Sequence, residues 1–588
     1  MRIAVIDRDR CQPRKCSREC EYFCPPVRTG DETIVFRDGK PVITESLCVG
    51  CGICVKKCPF GAIHIINLPD ELDKPIHRYG ENGFALYGLP VPAEGKVVGI
   101  LGPNGIGKST AVGILSGLLC PNLSKEASWE EVVRFYSGSA LGDYLKTVVE
   151  HGISTAYKPQ YVSRIPKGYS GSVRSLLEMT DERDALFELA DKLGLNPIMN
   201  REISSLSGGE LQRVAIAACA ARDANVYFFD EISPYLDIFQ RISVARVIRE
   251  LAFDRSVMVV EHDMALLDLL ADVVHLVYGT PGAYGVITRP KGVRVGINQY
   301  IRGYLPDENI RTRSEPIEFE VHAPRMEKDV PVLVEYDTFT KSYPQFRLTA
   351  EAGVIRASEV VGILGPNGIG KSTYIKILGG IEEPDEGELA LDLKISYKPQ
   401  YVKADSDLSV REFLRGITAD IDSSYYQSEF VNPMGLENLM DRSLTELSGG
   451  ELQRVAIIAC LSREADLYLL DEPSAHLDVE QRMMTAKVMR RFAESAERSV
   501  LVVDHDIYLI DLLSERLIVF DGVPGKKGVS HPPYDMRTGM NCFLAGIEIT
   551  FRRDEETRRP RVNKPGSRLD RSQKASGEYY YYAIEGSG

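Results

Sequence analysis

The sequence GPNGIGKST occurs twice in the chain, at 102–110 and at 365–373. Each copy follows an apolar segment and fits the pattern G-x-x-x-x-G-K-S/T, whose glycines let backbone N–H groups turn inward on phosphate groups. The lysine of such a loop reaches the β- and γ-phosphates, and the hydroxyl after it binds Mg²⁺. Two copies in the same context predict two sites for a magnesium–nucleotide complex. The predicted binding residues are Gly102, Asn104, Gly105, Gly107, Lys108, Ser109, Thr110, Gly365, Asn367, Gly368, Gly370, Lys371, Ser372 and Thr373.

An apolar segment that ends in Asp-Glu lies downstream of each phosphate loop. Asp230 and Asp471 suit the role of holding Mg²⁺ together with the loop serines. The adjacent Glu231 and Glu472 are placed to polarise an attacking water, so the pattern predicts nucleotide hydrolysis. The copies differ at the next residue, which is Ile232 in the first and proline in the second. We expect both sites to be catalytic, and the departure at Ile232 leaves the geometry and rate of the first site open.

The phosphate loop and the Asp-Glu pair recur in the same order in both halves, which indicates a duplicated domain. Lys108 and Lys371 are 263 residues apart, whereas Gln160 and Gln400 are separated by 240. About 23 residues are therefore inserted into the first copy between these two positions.

The insertion, at about 124–152, predicts a helix–loop–helix. Ser128 and Glu131 form a capping box at the start of the first helix, and apolar residues follow at helical spacing. These apolar stripes are expected to pack on the parent domain. The polar positions Ser137, Gly138, Ser139 and Lys146 are expected to face solvent, where they either serve a partner or have no role beyond local packing.

Eight of the twelve cysteines lie within the first 58 residues. Four of them have the spacing C-x₂-C-x₂-C-x₃-C-P, which binds 4Fe–4S clusters in bacterial ferredoxins, and a looser quartet lies upstream. In two-cluster ferredoxins the cysteine before the proline serves the other cluster. Two 4Fe–4S clusters are therefore predicted, and zinc is the alternative for four thiolates. The expected sets are Cys24, Cys48, Cys51 and Cys54 for one cluster, and Cys11, Cys16, Cys20 and Cys58 for the other.

The composition excludes several classes of protein. A net charge of −14 argues against a protein that coats nucleic acid, and no apolar run approaches the length of a membrane helix. Segments 289–313 and 551–574 are locally basic and predict either a solvated, partly flexible chain or an RNA contact. Residues 289–330 and those after 521 show no long hydrophobic period and are predicted to be connectors. We expect a cytoplasmic protein.

The segment LSGGELQR, at 206–213 and 447–454, lies between each phosphate loop and its Asp-Glu pair, and here the sequence resembles the ABC ATPase family. The resemblance implies that Gln160 and Gln400 sense Mg²⁺ and water. It also implies that His262 and His505 are switch histidines that touch the γ-phosphate. Asp237 and Asp478 would lie in the D-loops that follow the catalytic acids.

The same resemblance implies that each LSGGELQR motif completes the nucleotide site of the other half. A helix N-terminus and a serine hydroxyl then reach the γ-phosphate only when the halves meet, so ATP holds them together and hydrolysis releases them. Aromatic residues before each loop suit an adenine ring. Ser448, Gly449 and Gly450 would close over ATP held by Lys108; Ser207, Gly208 and Gly209 over ATP held by Lys371; and the aromatic pairs are Tyr79 with Phe84 and Tyr343 with Phe346.

The combination of a ferredoxin-like head, two ABC halves, one insertion and a basic C-terminal segment resembles ABC subfamily E, the ribosome-recycling or RNase L inhibitor family. The implied fold is α/β, with two tandem P-loop domains and an α+β head that carries two 4Fe–4S clusters. The implied partners are rRNA and ribosomal protein of the small subunit, a release factor or its relative, and initiation factors, with the protein itself monomeric. The expected domains are 1–75 (head), 76–288 (first ABC domain), 289–330 (connector), 331–520 (second ABC domain) and 521–588 (C-terminal segment).

The sequence argues against three other functional classes. A transporter subunit requires a membrane partner, which the fused halves and cysteine-rich head disfavour. A DNA-repair ATPase of the SMC type carries a long coiled coil between its motifs, yet only 52 and 29 residues separate each loop lysine from its glutamine. A redox enzyme requires an electron acceptor, and no flavin or nicotinamide fingerprint is visible. Stimulation of ATPase activity by ribosomes, by DNA or by neither discriminates among these functions.

Overall fold

The computed structural model describes residues 2–580 apart from 9, 38, 45–46, 68–74, 124–126, 151, 314–315, 320–329, 388, 390–392 and 401–406. The chain forms two compact units. Their limits do not follow the sequence duplication, because two short segments of the first repeat belong to the second unit. The first unit comprises Met1–Ile232, Arg246–His262 and Leu270–Glu315, and the second comprises Ser233–Ala245, Asp263–Leu269 and Pro316–Gly588.

The first unit is built on a nine-stranded mixed sheet. Its central parallel strands are buried along their whole length and rich in β-branched residues, as expected of strands covered on both faces. In spatial order the strands are His77–Arg78, Ala85–Tyr87, Tyr284–Ile287, Val273–Thr280, Val97–Leu101, Ser256–Val260, Val226–Asp230 and Thr155–Lys158, and Lys291–Gly292 pairs with Val273–Thr280. The helices are Lys108–Leu115, Trp129–Phe135, Ala140–Glu150, Ile165–Gly168, Val173–Thr180, Leu186–Lys192, Gly208–Ala220 and Val293–Arg302; Ile238–Leu251 and Met264–Leu270 cross the limits of the units.

The second unit repeats this sheet with the same strand order. Its strands are Phe339–Tyr343, Phe346–Ala350, Lys527–Ser530, Arg516–Val523, Val360–Leu364, Ser499–Val503, Leu467–Asp471 and Ile395–Lys398, with Tyr534–Asp535 paired to Arg516–Val523; Val332–Tyr336 and Gly353–Arg356 form a separate ribbon. The helices are Lys371–Leu378, Val410–Arg415, Ser424–Tyr426, Gly449–Leu461, Val479–Ser495, Ile507–Leu513, Met536–Ile547 and Arg568–Ser576. Among the described residues, none of the helices is both long and apolar enough to span a membrane.

The cysteine-rich head forms a small α+β structure within the first unit. Strand Arg2–Ile6 pairs antiparallel with Ile63–Asn67, and Ile34–Arg37 forms a hairpin with Lys40–Ile43. Three buried cysteines share its small core with five aliphatic side chains, so the head depends on its cysteines for packing as well as for chemistry. Its helices are Glu19–Tyr22, Pro25–Arg28 and Ile53–Lys57.

The insertion forms the predicted helix–loop–helix. The Ser128 hydroxyl accepts the Glu131 N–H and the Glu131 carboxylate accepts the Ser128 N–H, which confirms the capping box. Val132 and Leu145 are fully buried against the core of the first unit. The turn between the helices, 137–139, is exposed, as is Lys146.

The segments predicted to be connectors contain regular secondary structure in both halves. After each sheet the chain forms a further strand and a helix, Val293–Arg302 in the first unit and Met536–Ile547 in the second. Gly296 and Gly539 occupy equivalent places, where a β-carbon would lie 2.3 Å from Val274 and 2.7 Å from Leu517. The duplication therefore extends beyond residue 288 in the first half, and the second sheet continues past residue 520 to Asp535.

The basic C-terminal segment is folded, and some of its arginines are engaged in ion pairs, one of which is fully buried. Arg559 is fully buried and donates to the carboxylate of Asp268, which also accepts the hydroxyl of Tyr508 at 3.1 Å. Arg553 makes two hydrogen bonds, of 2.7 and 2.9 Å, to Asp511. A solvated, flexible segment and an RNA contact both require free charges, so neither prediction holds for these arginines.

Candidate functional site

Each phosphate loop connects a buried strand to a helix at the carboxyl edge of its sheet. Gly107 and Gly370 precede the helices with φ of 92° and 101°. A β-carbon at these glycines would lie 2.7 Å from Phe84 and 2.9 Å from Phe346. Glycine is therefore required at both positions by backbone conformation and by space.

The loop lysines are bound to their own loops. Lys108 Nζ donates to the carbonyl oxygens of Gly102 at 2.8 Å and Pro103 at 2.6 Å. Lys371 Nζ makes the equivalent bonds to Gly365 at 2.9 Å and to the next residue at 2.7 Å. Burial lowers the pKa of Lys371 to about 8. These bonds hold each ammonium group inside the curve of the loop, where its charge is available to a phosphate.

The predicted magnesium ligands meet at the end of the buried strand. Ser109 Oγ donates to Asp230 Oδ2 at 3.1 Å, and Ser372 hydrogen-bonds Asp471 in the second unit. Burial raises the pKa of both aspartates, while the serine hydrogen bond opposes the shift. A hydroxyl and a carboxylate in contact are a suitable oxygen ligand pair for Mg²⁺, with the nucleotide phosphates supplying others.

The predicted catalytic groups of the first unit also lie together. Gln160 Nε2 donates to Glu231 Oε1 at 2.6 Å, and His262 Nε2 lies 3.7 Å from the same oxygen. In the second unit, Gln400 Nε2 donates to Glu472 Oε1 at 2.8 Å, and the histidine nitrogen is 3.5 Å from that oxygen. Each unit thus brings an acid, an amide and an imidazole to one point, as water activation requires.

Both predicted catalytic glutamates adopt a left-handed backbone, with φ of 51° at Glu231 and 47° at Glu472. Such a conformation costs a non-glycine residue about 1–3 kcal/mol, so the surroundings must fix it. The carbonyl oxygen of Glu231 accepts Lys158 Nζ at 2.6 Å and Gln212 Nε2 at 2.7 Å. Lys398 and Gln453 make the equivalent bonds at 3.2 and 2.7 Å to the second glutamate.

These supporting side chains were not among the residues predicted from the motifs. Lys158 and Lys398 belong to the repeated block YKPQYV, and Gln212 and Gln453 belong to LSGGELQR. The signal available in the sequence was a lysine inside a block that is identical in both repeats. Burial lowers the pKa of both lysines to about 8.

The two glutamates differ electrostatically. Burial raises the pKa of Glu231 to about 7, and the charges of Asp230 and Glu261 act in the same direction. Burial also acts to raise the pKa of Glu472. The interaction with His505, 3.5 Å away, the hydrogen bond from Gln400 and the charge of the loop lysine outweigh it and lower the pKa to about 2. The two glutamates therefore lie in different electrostatic surroundings.

The LSGGELQR serines cap the helices that follow them. Ser207 Oγ accepts the Glu210 N–H at 3.3 Å and donates to its carboxylate at 2.9 Å, and Ser448 makes the same bonds with Glu451. The glycines after each serine begin the helices. Each motif therefore presents a helix N-terminus and a hydroxyl, the donor set suited to a phosphate.

The first D-loop lies within the second compact unit. Asp237 Oδ2 accepts the backbone N–H of Asn367, in the second phosphate loop, at 2.8 Å. Asp478 caps the helix that begins at Val479 and accepts the Gln481 N–H at 2.9 Å. A residue of the first repeat is thus part of the surroundings of the second nucleotide site.

The aromatic residues before each loop divide into two roles. Phe84 and Phe346 pack on the loop glycines. Tyr79 and Tyr343 are 45% and 40% exposed, and the Tyr79 hydroxyl lies 3.3 Å from Thr110 Oγ1 at the end of the loop. The tyrosines therefore offer the accessible ring faces for a purine.

The eight head cysteines fall into the two predicted groups. Cys24, Cys48, Cys51 and Cys54 line one cavity. Burial, together with the neighbouring thiolates of that group, raises the pKa of Cys54 to about 12. In the other group, burial raises the pKa of Cys20 to about 12, and the charges of Cys58, Cys16 and Cys11 add to the shift.

All-thiol surroundings of this kind fit an iron–sulfur cluster. Among the described residues, no three His, Cys, Asp or Glu side chains are gathered closely enough to hold a single metal ion. A 4Fe–4S cluster and a zinc ion both take four thiolates, and the C-x₂-C-x₂-C-x₃-C-P spacing favours the cluster.

Comparison with protein families agrees with this division of the chain. The model of the ABC transporter family matches residues 92–233 and 352–475. The model described as a possible Fer4-like domain in RNase L inhibitor matches 1–32, and the 4Fe-4S binding domain matches 41–64. The head therefore binds iron–sulfur clusters, and the two phosphate sites belong to ABC-type ATPase domains.

Known relatives match the chain along its length. An uncharacterized ABC transporter ATP-binding protein of Methanocaldococcus jannaschii is 54% identical over 99% of the chain and 98% of its own length. ABC transporter E family member 1 of Arabidopsis thaliana is 45% identical, and Translation initiation factor RLI1 of Saccharomyces cerevisiae is 41% identical, each over 99% of this chain and 98% of the relative.

Solved structures give the same result. A model of ribosome-bound archaeal Pelota and ABCE1 matches with a TM-score of 0.93 at 53% identity, covering 99% of both chains. A crystal structure of archaeal ribosomal stalk protein aP1 with the archaeal ribosome recycling factor aABCE1 matches with a TM-score of 0.84 at 53% identity. It covers 87% of this chain and 99% of the other.

Proposed function

The chain belongs to the ABC transporter E family, and from that premise we propose that it is an ATP-driven ribosome recycling factor. ATP binding closes the two ATPase halves and moves the iron–sulfur head, so that the ribosome separates into subunits, and hydrolysis resets the cycle. The observation that carries this proposal is the full-length similarity to a ribosome-bound relative. The proposed partners are rRNA and protein of the small subunit, a release-factor-like protein, the ribosomal stalk and initiation factors.

The closure is proposed to form two composite ATP sites. Ser448 and its glycines would complete the site of Lys108, and Ser207 and its glycines the site of Lys371. The capped helix N-termini of both motifs and the bond from Asn367 to Asp237 support this arrangement. A γ-phosphate at each shared site then joins the halves, and its removal weakens the contact.

Gly282 lies between the head and the first phosphate loop, and its contacts with both support movement of the head by ATP. The N–H of Gly282 donates to the carbonyl oxygen of Gly105 in that loop at 3.0 Å, and a β-carbon on Gly282 would lie 2.4 Å from Asp7 of the head. In the second unit, Gly525 makes the same bond to Gly368 at 2.9 Å, yet nothing lies within 4 Å of its β-carbon position. A change in the first loop can thus be passed to the head through Gly282.

Two 4Fe–4S clusters are proposed in the head, one for each cysteine group. Anaerobically purified protein is expected to contain about eight iron atoms and eight sulfides per chain, on the stoichiometry of two-cluster ferredoxins. Cys54→Ser should lower the iron content by about half, since it removes a ligand of one cluster only. Cys120→Ser, outside both groups, is the control. Stoichiometric zinc without iron would contradict the proposal.

The exposed side of the insertion is proposed to contact rRNA of the small subunit. Deletion of 124–152 is a poor test, because Val132 and Leu145 are fully buried in the core of the first unit. Ser139 is also unsuitable, since its hydroxyl accepts the Gly142 N–H at 3.0 Å and caps the second helix. Ser137 and Lys146 are exposed and can be changed without disturbing this packing.

A Ser137→Glu, Lys146→Glu variant is expected to co-sediment with the small subunit about tenfold more weakly, because it places negative charge against phosphates. Basal ATPase activity should be unchanged. Ser424→Glu, Lys394→Glu carries the same charge change on exposed positions of the second unit and should bind normally. Binding equal in the two variants would exclude the insertion as the contact. Salt-insensitive binding of the parent would argue against a phosphate contact altogether.

A further inference from the structure

The backbone after the first general base is held by a buried carboxylate. Ile232 directly follows Glu231, and its N–H donates to Glu261 Oε2 at 3.0 Å. Both Ile232 and Glu261 have no exposed surface. Glu261 in turn directly precedes the switch histidine, His262. One hydrogen bond thus joins the residue after the general base to the residue before the switch histidine.

The second site makes this connection with different residues. Glu472 is followed by Pro473, which has no N–H to donate. The next residue, Ser474, donates its N–H to Asp504 Oδ2 at 2.9 Å and its hydroxyl to Asp504 Oδ1 at 2.7 Å. The backbone N–H groups of His505 and the following residue also donate to Oδ1, at 2.7 and 2.9 Å.

In each half, the length of the acidic side chain matches the position of the backbone N–H that it accepts. Glu261 and Asp504 are 243 residues apart, as are the two switch histidines, so they occupy equivalent places. Where isoleucine supplies a donor, the acid is the longer glutamate. Where proline removes that donor, the acid is the shorter aspartate, and it binds the next residue instead. The two differences between the repeats therefore compensate each other.

We propose that Glu261 is a positioning residue for hydrolysis at the first ATP site, and that the pairing of Ile232 with Glu261 sets that site apart from the second. The left-handed backbone of Glu231 must be fixed on both sides to aim its carboxylate. Lys158 and Gln212 hold its carbonyl oxygen, and Glu261 holds the next N–H. Glu261 acts through the backbone and is not assigned a contact with the nucleotide. The inference concerns hydrolysis alone, so its test requires no ribosome.

The test measures steady-state ATPase activity in a Glu472→Gln background, where hydrolysis is left to the first site. Glu261→Asp shortens the side chain that accepts the Ile232 N–H, and Ile232→Pro removes that N–H. Each is expected to lower kcat about tenfold with little change in KM for ATP, since a buried hydrogen bond is broken beside the general base. The double variant reproduces the second-site pairing, because Ser233 already stands at the position of Ser474. Its kcat should recover to within about threefold of the kcat of the Glu472→Gln protein.

Additive losses in the double variant would overturn the proposal, as would an unchanged kcat in both single variants. Should Ile232→Pro fail to fold, Glu261→Gln decides the question. Its amide oxygen can still accept the Ile232 N–H, so kcat should stay well above that of Glu261→Asp, and an equal loss in both would reject positioning. Asp504→Glu with Pro473→Ile, in a Glu231→Gln background, is the mirror experiment and should show the same recovery.

Discussion

A Glu231→Gln, Glu472→Gln double variant is expected to bind two ATP molecules per chain and to hydrolyse them roughly a hundredfold or more slowly than the parent. Each substitution keeps the hydrogen bond from its glutamine partner within reach but removes the carboxylate that polarises water. Binding depends on the phosphate loops, which the change leaves intact, so the ATP-bound closed form should accumulate. Filter assays of occluded nucleotide and sedimentation with ribosomes both report that form.

The control for this variant is Glu178→Gln with Glu497→Gln, which removes two carboxylates from exposed positions. It should turn over ATP at the parental rate and retain no occluded nucleotide. Parental turnover by the Glu231, Glu472 double variant would remove both glutamates from the mechanism. Loss of nucleotide binding would show that they serve the fold rather than the chemistry.

Arg559→Met is expected to destabilise the second unit by about 3–5 kcal/mol, because it removes the buried cation that donates to Asp268 and leaves that carboxylate only the weaker pair with Arg561 Nε at 3.6 Å. Arg559 and Asp268 are both almost completely inaccessible to solvent. Methionine fills a similar volume, so the effect reports charge rather than a cavity. Thermal unfolding followed by circular dichroism should show a melting temperature lower by at least about 5 °C.

Arg571→Met is the matched control, since Arg571 is exposed in the same segment. Its melting curve should coincide with that of the parent. The double variant Arg559→Met, Asp268→Leu should regain much of the lost stability, because removal of both charges avoids the unpaired one. A melting temperature of Arg559→Met equal to that of Arg571→Met would mean that the ion pair carries no net stability.

The chemistry of the sites was predictable from sequence because it resides in short, repeated motifs. The contacts of Ser109 with Asp230 and of Gln160 with Glu231 join residues of different blocks, yet the strand-to-loop pattern places both at one sheet edge. Glu261 was not predictable in this way. Its role depends on which backbone N–H it reaches, and a single methylene decides that.

The segments after each sheet show the opposite case. The stripe of Ile297, Tyr300 and Ile301 has helical spacing, but it is short and surrounded by charged residues, so a connector was predicted. The burial of Arg559 depends on Asp268, 291 residues earlier in the chain. The local composition does not indicate such a pairing. From sequence alone, a basic segment with buried arginines therefore looks the same as a solvated one.

The long separation between Arg559 and Asp268 also bears on how the protein is made. At elongation rates of about 5–20 residues per second, Asp268 is synthesised roughly 15–60 s before its arginine. During that interval the helix Met264–Leu270 carries a carboxylate whose buried partner does not yet exist. Its final packing is therefore post-translational, and the finished ATPase cannot form while its own C-terminal segment is still inside a ribosome.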